Sequence, residues 1–598
     1  PADEYLSGNV KEKLAVAKVA GPEFAANVAA LEAVQPVDLR PEEITVRIGA
    51  PWIPADVYEQ FINGLLNAGE IRVRFDNATG SWDVSTTRSY KHHVVATQTW
   101  GTPKVDALQL FRQALNQQVP RVTRKTSDGR QEVDKAETIA AREKQEKLRE
   151  EFVRWIWSDK ERADRLAGLY NAIHNCLVPR RFNGEHLKLP GFSSVYTLWP
   201  HQRDAIWRII ASGKNTLLAH VVGAGKTLTM ICAAMELRRL GRAHKPMMVV
   251  PNHMLEQVAR EFLAAYPGAK VLMASKDELE GDRRRVLLNR VATGDWDAVV
   301  ITHASFERIK MSDEYLVEYI EEELEQIRAA LEEARKDKRN RRSTIKELAK
   351  AERAWEARLK RLSGADRKDD ILTFDQLGID WLFVDEAHLF KNLWRFSKME
   401  RVAGLPNSNS ERAFDMFVKT RYLMQRRGEH QGVVFATGTP VANSMAELWV
   451  MQRYLQPQTL ERLNLEMFDA WAASFGEVVN AIELAPDGSG YRVNNRFARF
   501  VNLPELMGMF REVADIRTRE MLNLPVPAAR FETVTAKPSE SLKAFVEKLV
   551  ARAEAIRAGE VQPWQDNMLA VTTDGRKAAL DMRLVGVGGD DPGSKVNL

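Results

Sequence analysis

The chemistry-bearing residues of this chain begin at positions 217–227, LLAHVVGAGKT, an apolar run that ends in a glycine-rich loop. Gly223 and Gly225 let backbone N–H groups turn toward phosphate oxygens, and a helix N-terminus just beyond would attract the same anion. Lys226 would reach the β- and γ-phosphates, and Thr227 would ligate magnesium. The expected nucleotide-binding residues of the loop are Gly223, Ala224, Gly225, Lys226, Thr227 and Leu228. His220 stands where the strict G-x-x-x-x-G-K-[ST] pattern has its first glycine.

A second constellation lies in WLFVDEAHLF, residues 381–390. Four apolar residues put Asp385 at the end of a strand, where its carboxylate can hold magnesium, and Glu386 is then placed to orient and polarise an attacking water. Four polar residues after a core strand are an ordinary feature by themselves. Behind a phosphate loop they make a hydrolytic site, so Lys226, Asp385 and Glu386 are the expected catalytic residues, Thr227 and Asp385 the metal ligands, and ATP with Mg2+ the cofactors.

These residues need a scaffold. Short apolar runs, NTLLAHVV, PMMVVP, WDAVVIT, IDWLFVD and GVVFATG, alternate with helical stretches, which is the pattern of buried parallel strands in an α/β sheet. The expected fold class is therefore α/β, a parallel sheet flanked by helices, over 191–530. A charged insertion at 312–370 carries Leu316, Ile320, Leu324, Ile327 and Leu331, then Ile345, Leu348, Trp355, Leu359 and Leu362, at helical spacing, and predicts an antiparallel helical hairpin. Its basic tip, Lys336, Lys338, Arg339, Arg341 and Arg342, suits either phosphate neutralisation or plain solvation. Ahead of the lobe, 1–190 reads as a helix-rich α+β accessory domain with a strand hairpin where Ile71, Val73 and Phe75 alternate before DNATG and Trp82 and Val84 resume. Residues 531–598 read as a helical linker. The tryptophans, among them Trp52, Trp82, Trp155, Trp207 and Trp449, read as core or interface anchors.

The two nucleotide motifs together resemble the superfamily-two helicases and translocases, and other segments resemble their Swi/Snf-type branch. YTLWPHQRDAIWR, residues 196–208, looks like that family's opening segment, in which Gln202 would read the adenine edge. GVVFATGTPVANSMAELWVMQRYLQP is similar to the family's T-G-T-P, asparagine and E-L-W series, here Thr437, Gly438, Thr439, Pro440, Asn443, Glu447, Leu448 and Trp449. MVVPNHMLEQVAREF, VVITHASF and IRTREML keep the family's order, and the resemblance runs from about Tyr196 to the C-terminus.

The resemblance implies that the sheet over 191–530 is RecA-like, and it implies ATP-driven movement along duplex DNA, coupled through His388, Thr437, Gly438 and Thr439. Asn252 and Gln257, polar groups at a strand exit, are expected to contact the DNA backbone, as is Asn443. For Thr302 and His303 two readings stand side by side, a DNA or relay role and capping of the next helix by Thr302. Two departures matter: HVVGAGKT lacks the acidic residue usual before the loop, and no second RecA-like lobe with an arginine-rich final motif is present. That lobe is expected in the same longer polypeptide, and the accessory segments YLSGNV and IGAPWIP resemble phage or mobile-element proteins that fuse a methyltransferase domain to such a motor. A strand-separating or RNA-dependent helicase, or a nucleotide-regulated scaffold module of a defence complex, are the competing readings.

Composition narrows the class without choosing a partner. An apolar share of 44% and a charged share of 28% describe a helix-rich globular protein, and 598 residues exceed one core. A net charge of +4 over that length neither demands nor excludes nucleic acid. Cys176 and Cys232 show no metal-ligand spacing and suit buried thiols in a reducing compartment, so a cytoplasmic protein is expected. There is no run of membrane-spanning length. The chain begins at Pro1 and ends in SKVNL, which suggests a piece of a longer polypeptide, although Met removal before Pro1 would explain the start.

Overall fold

The computed structural model describes residues 2–597 apart from 78–79, 91–92, 126–130, 276, 280–281, 337–341, 364–370, 395–396, 398, 400–409, 429, 443, 485–490, 523–528, 536, 559, 563 and 587–593. Seven strands make its central sheet: β1 Thr216–His220, β2 Pro246–Val250, β3 Val271–Ala274, β4 Ala298–Thr302, β5 Trp381–Val384, β6 Val433–Ala436 and β7 Ala514–Arg517. Their order across the sheet is β7-β1-β6-β5-β2-β4-β3, and every pairing is parallel.

Strict alternation along the strands explains why the central runs are apolar throughout. Leu217, Met247, Val249, Val299, Leu382 and Val433 enter the core on one face, whereas Leu218, Met248, Val250, Val300, Phe383 and Val434 enter the core on the other. Helices cover both faces. Helices α1 (Pro200–Ala211), α2 (Lys226–Arg239) and α3 (Leu255–Ala265) supply Ile206, Met230 and Val258 to the second core. Two strands escape the sequence reading, β3 and β7. Both lie at sheet edges, where one buried face suffices, so VLMA keeps an exposed Met273 and ADIR carries two charges.

The insertion forms a helical hairpin between the short helix α4 (His303–Arg308), which follows β4, and strand β5. Its arms are α5 (Asp313–Lys336) and α6 (Arg342–Ser363). Ile320, Leu324 and Trp355 join the same core as β2 and β5, and Arg328 pairs with Glu352 and Glu356 across the two arms at 3.2 and 2.7 Å. The tip at 337–341 lies outside the described residues. Helices α7 (Glu411–Gln425) and α8 (Ala446–Leu455) complete that face.

Two compact units divide the chain, Pro1–Val479 with Asn495–Leu524, and Asn480–Asn494 with Pro525–Leu598. Within the first, residues 44–173 keep a core of their own built on Tyr58, Phe61, Trp82, Phe111 and Phe152. The strand hairpin there sets Val73 opposite Val84 and Phe75 opposite Trp82. Hydrogen bonds tie this region to the lobe: Asn502 Nδ2 donates to Thr45 O at 3.1 Å, and the Arg47 guanidinium donates to Gly476 O. The second unit holds helices α9 (Glu540–Ala558) and α10 (Met568–Leu580), with Arg552 bound to Asp566 and Asp574 over Leu549, Ala553 and Val571. Both cysteines are free and buried. Among the described residues no helix is long and apolar enough to cross a membrane.

Candidate nucleotide site

The loop between β1 and α2 has the backbone that its glycines allow. Gly223 and Gly225 have φ of +87° and +75°, a region that costs other residues strain. At Gly225 a Cβ would also lie 2.3 Å from Gln202 Nε2. Helix α2 starts at Lys226, so its first-turn N–H groups lack intrahelical partners and face the loop. The Lys226 ammonium donates to His220 O at 3.1 Å and Val221 O at 3.4 Å. Burial lowers its pKa, against the pull of Asp385 and Glu386, which hold it charged.

Strand β5 delivers the acidic pair. Asp385 is 6% exposed and its N–H donates to Val249 O at 2.9 Å. Burial raises its carboxyl above the usual range, while the Glu386 N–H, at 2.9 Å, and Lys226 pull it down. Glu386 itself has φ of +50°, a left-handed turn that ends the strand direction and releases its side chain from the sheet. His388 then lies between two partners, with Nδ1 at 3.0 Å from the Glu386 carboxylate and 3.1 Å from Thr437 Oγ1. Thr437 Oγ1 in turn accepts the Thr439 N–H at 3.1 Å. At Gly438 a Cβ would meet Val222 Cγ2 at 3.1 Å, so the T-G-T-P turn rests against the phosphate loop. The four residues assigned to coupling therefore form one connected group, with His388 touching Glu386 and Gly438 facing Val222 of the loop.

This donor set fits ATP with magnesium. A buried carboxylate raised by desolvation gains from a divalent cation, and Thr227 sits half-buried in the first turn of α2. Among the described residues no group of three or more His, Cys, Asp or Glu could hold a metal. Nucleotide-bound Mg2+ takes one or two protein oxygens and completes its shell with phosphates and water, so such a cage is not what this chemistry uses.

Gln202 lies against the loop rather than apart from it. Its Oε1 accepts the Trp199 N–H at 2.9 Å and its Nε2 donates to Gly225 O at 3.1 Å, leaving the residue 2% exposed. In this conformation the amide braces the phosphate loop, and reading an adenine would require it to exchange those partners. Ala224, within the loop, is buried, Leu228 packs against the second core, and His201 Nε2 lies 2.9 Å from Ala224 O.

Two of the nucleic-acid candidates are buried, Thr302 at 4% and His303 at 3% exposed. Thr302 caps α4 by accepting the Ser305 N–H at 3.1 Å, the contact that the capping reading requires. His303 is 3% exposed, with Nε2 at 2.9 Å from Asp385 O and its ring 5.4 Å from that of Phe390. Burial pushes its pKa down to about 4, so it is a neutral brace for the acidic strand end. Asn252 and Gln257 are exposed; Asn252 Oδ1 accepts the Ala304 N–H at 3.4 Å and Gln257 Nε2 donates to Glu261 at 2.8 Å. Asn443 lies outside the described residues.

Sequence reasoning overlooked Lys391 and Asp515. Lys391 binds Glu447 at 3.0 Å with both side chains largely buried, and Glu447 also accepts the Ala442 N–H at 2.7 Å. The pair joins the DEAH segment to the turn after T-G-T-P. A lysine in the apolar stretch HLFKNLW and an acid between the apolar residues of VADIR were the available signals.

A family model described as a probable helicase domain matches residues 207–518, just over half of the chain. The chain belongs to that helicase-domain family. The matched stretch runs from α1 through β7 and contains the phosphate loop, the acidic pair and the coupling turn. Helicases of this kind are ATP-hydrolysing enzymes, and the motifs that resemble the Swi/Snf-type branch lie within the matched stretch. A model described as a domain of unknown function (DUF8437) matches residues 47–176, the accessory core. The chain is 24% identical over 469 residues to "Defense against restriction protein B" of Escherichia phage P1, covering 71% of this chain and 20% of that protein. It is 25% identical over 181 residues to "Helicase SWR1" of Candida glabrata, covering 29% and 11%. The chain thus spans a fifth or less of the length of these curated relatives. A solved Sulfolobus solfataricus SWI2/SNF2 ATPase core in complex with dsDNA matches at 14% identity and a TM-score of 0.31, over 67% of this chain and 62% of that one.

Proposed function

We propose that this chain is the ATP-binding lobe of a motor that moves along double-stranded DNA. The observation that carries the reading is the His388 ring set between Glu386 and Thr437, because it links the water-orienting carboxylate to the turn that family members use for coupling. When bound, ATP with magnesium supplies the scissile phosphoanhydride. Lys226 and the loop N–H groups would hold the β- and γ-phosphates, Thr227 and Asp385 would hold the metal, and Glu386 would orient the attacking water. A change in the partners of His388 would then shift the T-G-T-P turn, and with it the DNA grip on which Asn252 and Gln257 are exposed. A second RecA-like lobe in the same longer polypeptide contributes the arginine that stabilises the transition state, and the name of the phage relative favours a setting in restriction or its evasion, within the cytoplasm.

Phosphate release by the two-lobed motor, compared in the presence of duplex DNA, single-stranded DNA and RNA, tests the reading. Duplex DNA should stimulate most. Stimulation by RNA or by single strands alone would replace the translocase with an RNA-dependent or strand-separating helicase, and nucleotide-insensitive partner binding without turnover would favour the scaffold module.

A further inference from the structure

His220, in the first-glycine place of the phosphate loop, is wholly buried. Its Nε2 lies 2.7 Å from Asp515 Oδ2 on the edge strand β7. Strand register sets Asp515 opposite Leu218 and Arg517 opposite His220, so the side-chain bond runs diagonally across the pair of strands. The main chain repeats the tie one residue on, where Val221 N–H donates to Arg517 O at 3.0 Å. Arg517 remains beside Asp515, at 3.4 Å, and lies 3.8 Å from Asp204 of α1.

Two further facts connect this pair to phosphate binding. His220 O is the acceptor that holds Lys226 Nζ, so the pair anchors the residue that anchors the lysine. The ring of His201, which touches Ala224 O, packs edge-on to His220 with centroids 5.9 Å apart. Burial would raise the Asp515 carboxyl, but the hydrogen bond from His220, with Arg517 and Arg208 nearby, holds it below its usual range. Asp515 is thus a fixed negative charge behind the loop. A glycine at position 220 would have no side chain to reach it.

We infer that Asp515, acting through His220, is a positioning residue for triphosphate binding: strand β7 sets the start of the phosphate loop, and with it the alignment of Lys226 and the loop N–H groups. This rests on the ATP reading above. Misplacement by about 1 Å can cost two orders of magnitude in rate at a reacting centre, so the alignment of Lys226 and the loop N–H groups is expected to matter.

The test uses His220→Gly, which restores the strict loop pattern and should nevertheless weaken binding. Affinity for a non-hydrolysable ATP analogue with magnesium should fall by about tenfold or more, while affinity for AMP changes by less than about twofold, since a monophosphate barely uses the loop. Asp515→Asn should give a similar selective loss, and the two changes together should cost no more than the larger one alone. His220→Gln, which keeps an N–H donor toward Asp515, should retain most of the affinity. Triphosphate binding by His220→Gly as tight as wild type, equal losses for the two nucleotides, or additive losses in the double variant would overturn the proposal. Should His220→Gly fail to fold, the ratio of the two affinities in Asp515→Asn decides it. Wild-type protein that binds no triphosphate would remove the ATP reading itself.

Discussion

Lys226 spends its ammonium on two carbonyls at the end of β1 and on the field of Asp385 and Glu386, and its removal leaves the apolar cores untouched. Lys226→Ala should therefore abolish tight binding of ATP with magnesium while changing stability by no more than about 1 kcal/mol. Calorimetric titration beside a thermal melt checks both halves; a folded variant with unchanged affinity would remove the phosphate-loop assignment. Glu386 is different, since its backbone is left-handed and its carboxylate meets His388, which suits the proposed water-orienting role. Glu386→Gln should keep nucleotide binding and slow phosphate release by the two-lobed motor by about 10² to 10⁴-fold, because the amide holds water without polarising it. Turnover equal to wild type would show that another group orients the water.

At the scale of elements, the buried pair Lys391–Glu447 joins the segment after β5 to helix α8. Breaking one partner of such a pair strands a desolvated charge, so Lys391→Met should cost about 3 kcal/mol. The double variant Lys391→Met with Glu447→Leu should recover most of that, leaving about 1 kcal/mol for the Ala442 N–H that loses its acceptor. Denaturant midpoints of the single and double variants test this, and equal losses would mean the pair is weakly coupled. The helical hairpin α5–α6 is a second element whose role is separable from the fold, because its base is in the core and its tip is a run of basic residues. Replacing Lys336, Lys338, Arg339, Arg341 and Arg342 by Ser separates the two readings of the tip: phosphate neutralisation requires weaker duplex binding and a salt dependence flattened by about 0.9 in logarithmic slope for each phosphate no longer neutralised. Unaltered affinity and slope would assign those charges to solvation.

For the whole molecule, residues 1–598 contribute one nucleotide-binding parallel sheet among the described residues. Motors of this kind close ATP between two such lobes, and an arginine finger is worth about 10³ to 10⁵ in rate in related NTPases. Residues 1–598 tested by themselves should bind nucleotide yet release phosphate near background, with little effect of duplex DNA. A steady-state release assay on the pure monomer checks it, and robust DNA-stimulated turnover would place the finger within these residues. The α/β class, five of the seven strands of the central sheet, the hairpin insertion and the phosphate and acid motifs were legible in the chain's local patterns, because central strands buried on both faces and glycine-dependent loops leave local signatures. Edge strands β3 and β7 left none, since one buried face tolerates exposed and charged residues. Only the tertiary structure decided that Thr302 and His303 are internal, that Gln202 braces the loop, and that Lys391 meets Glu447. It likewise set Asp515 beside His220 across 295 positions of chain, because pairing between strands distant in sequence is fixed by the order of the sheet and not by any local pattern.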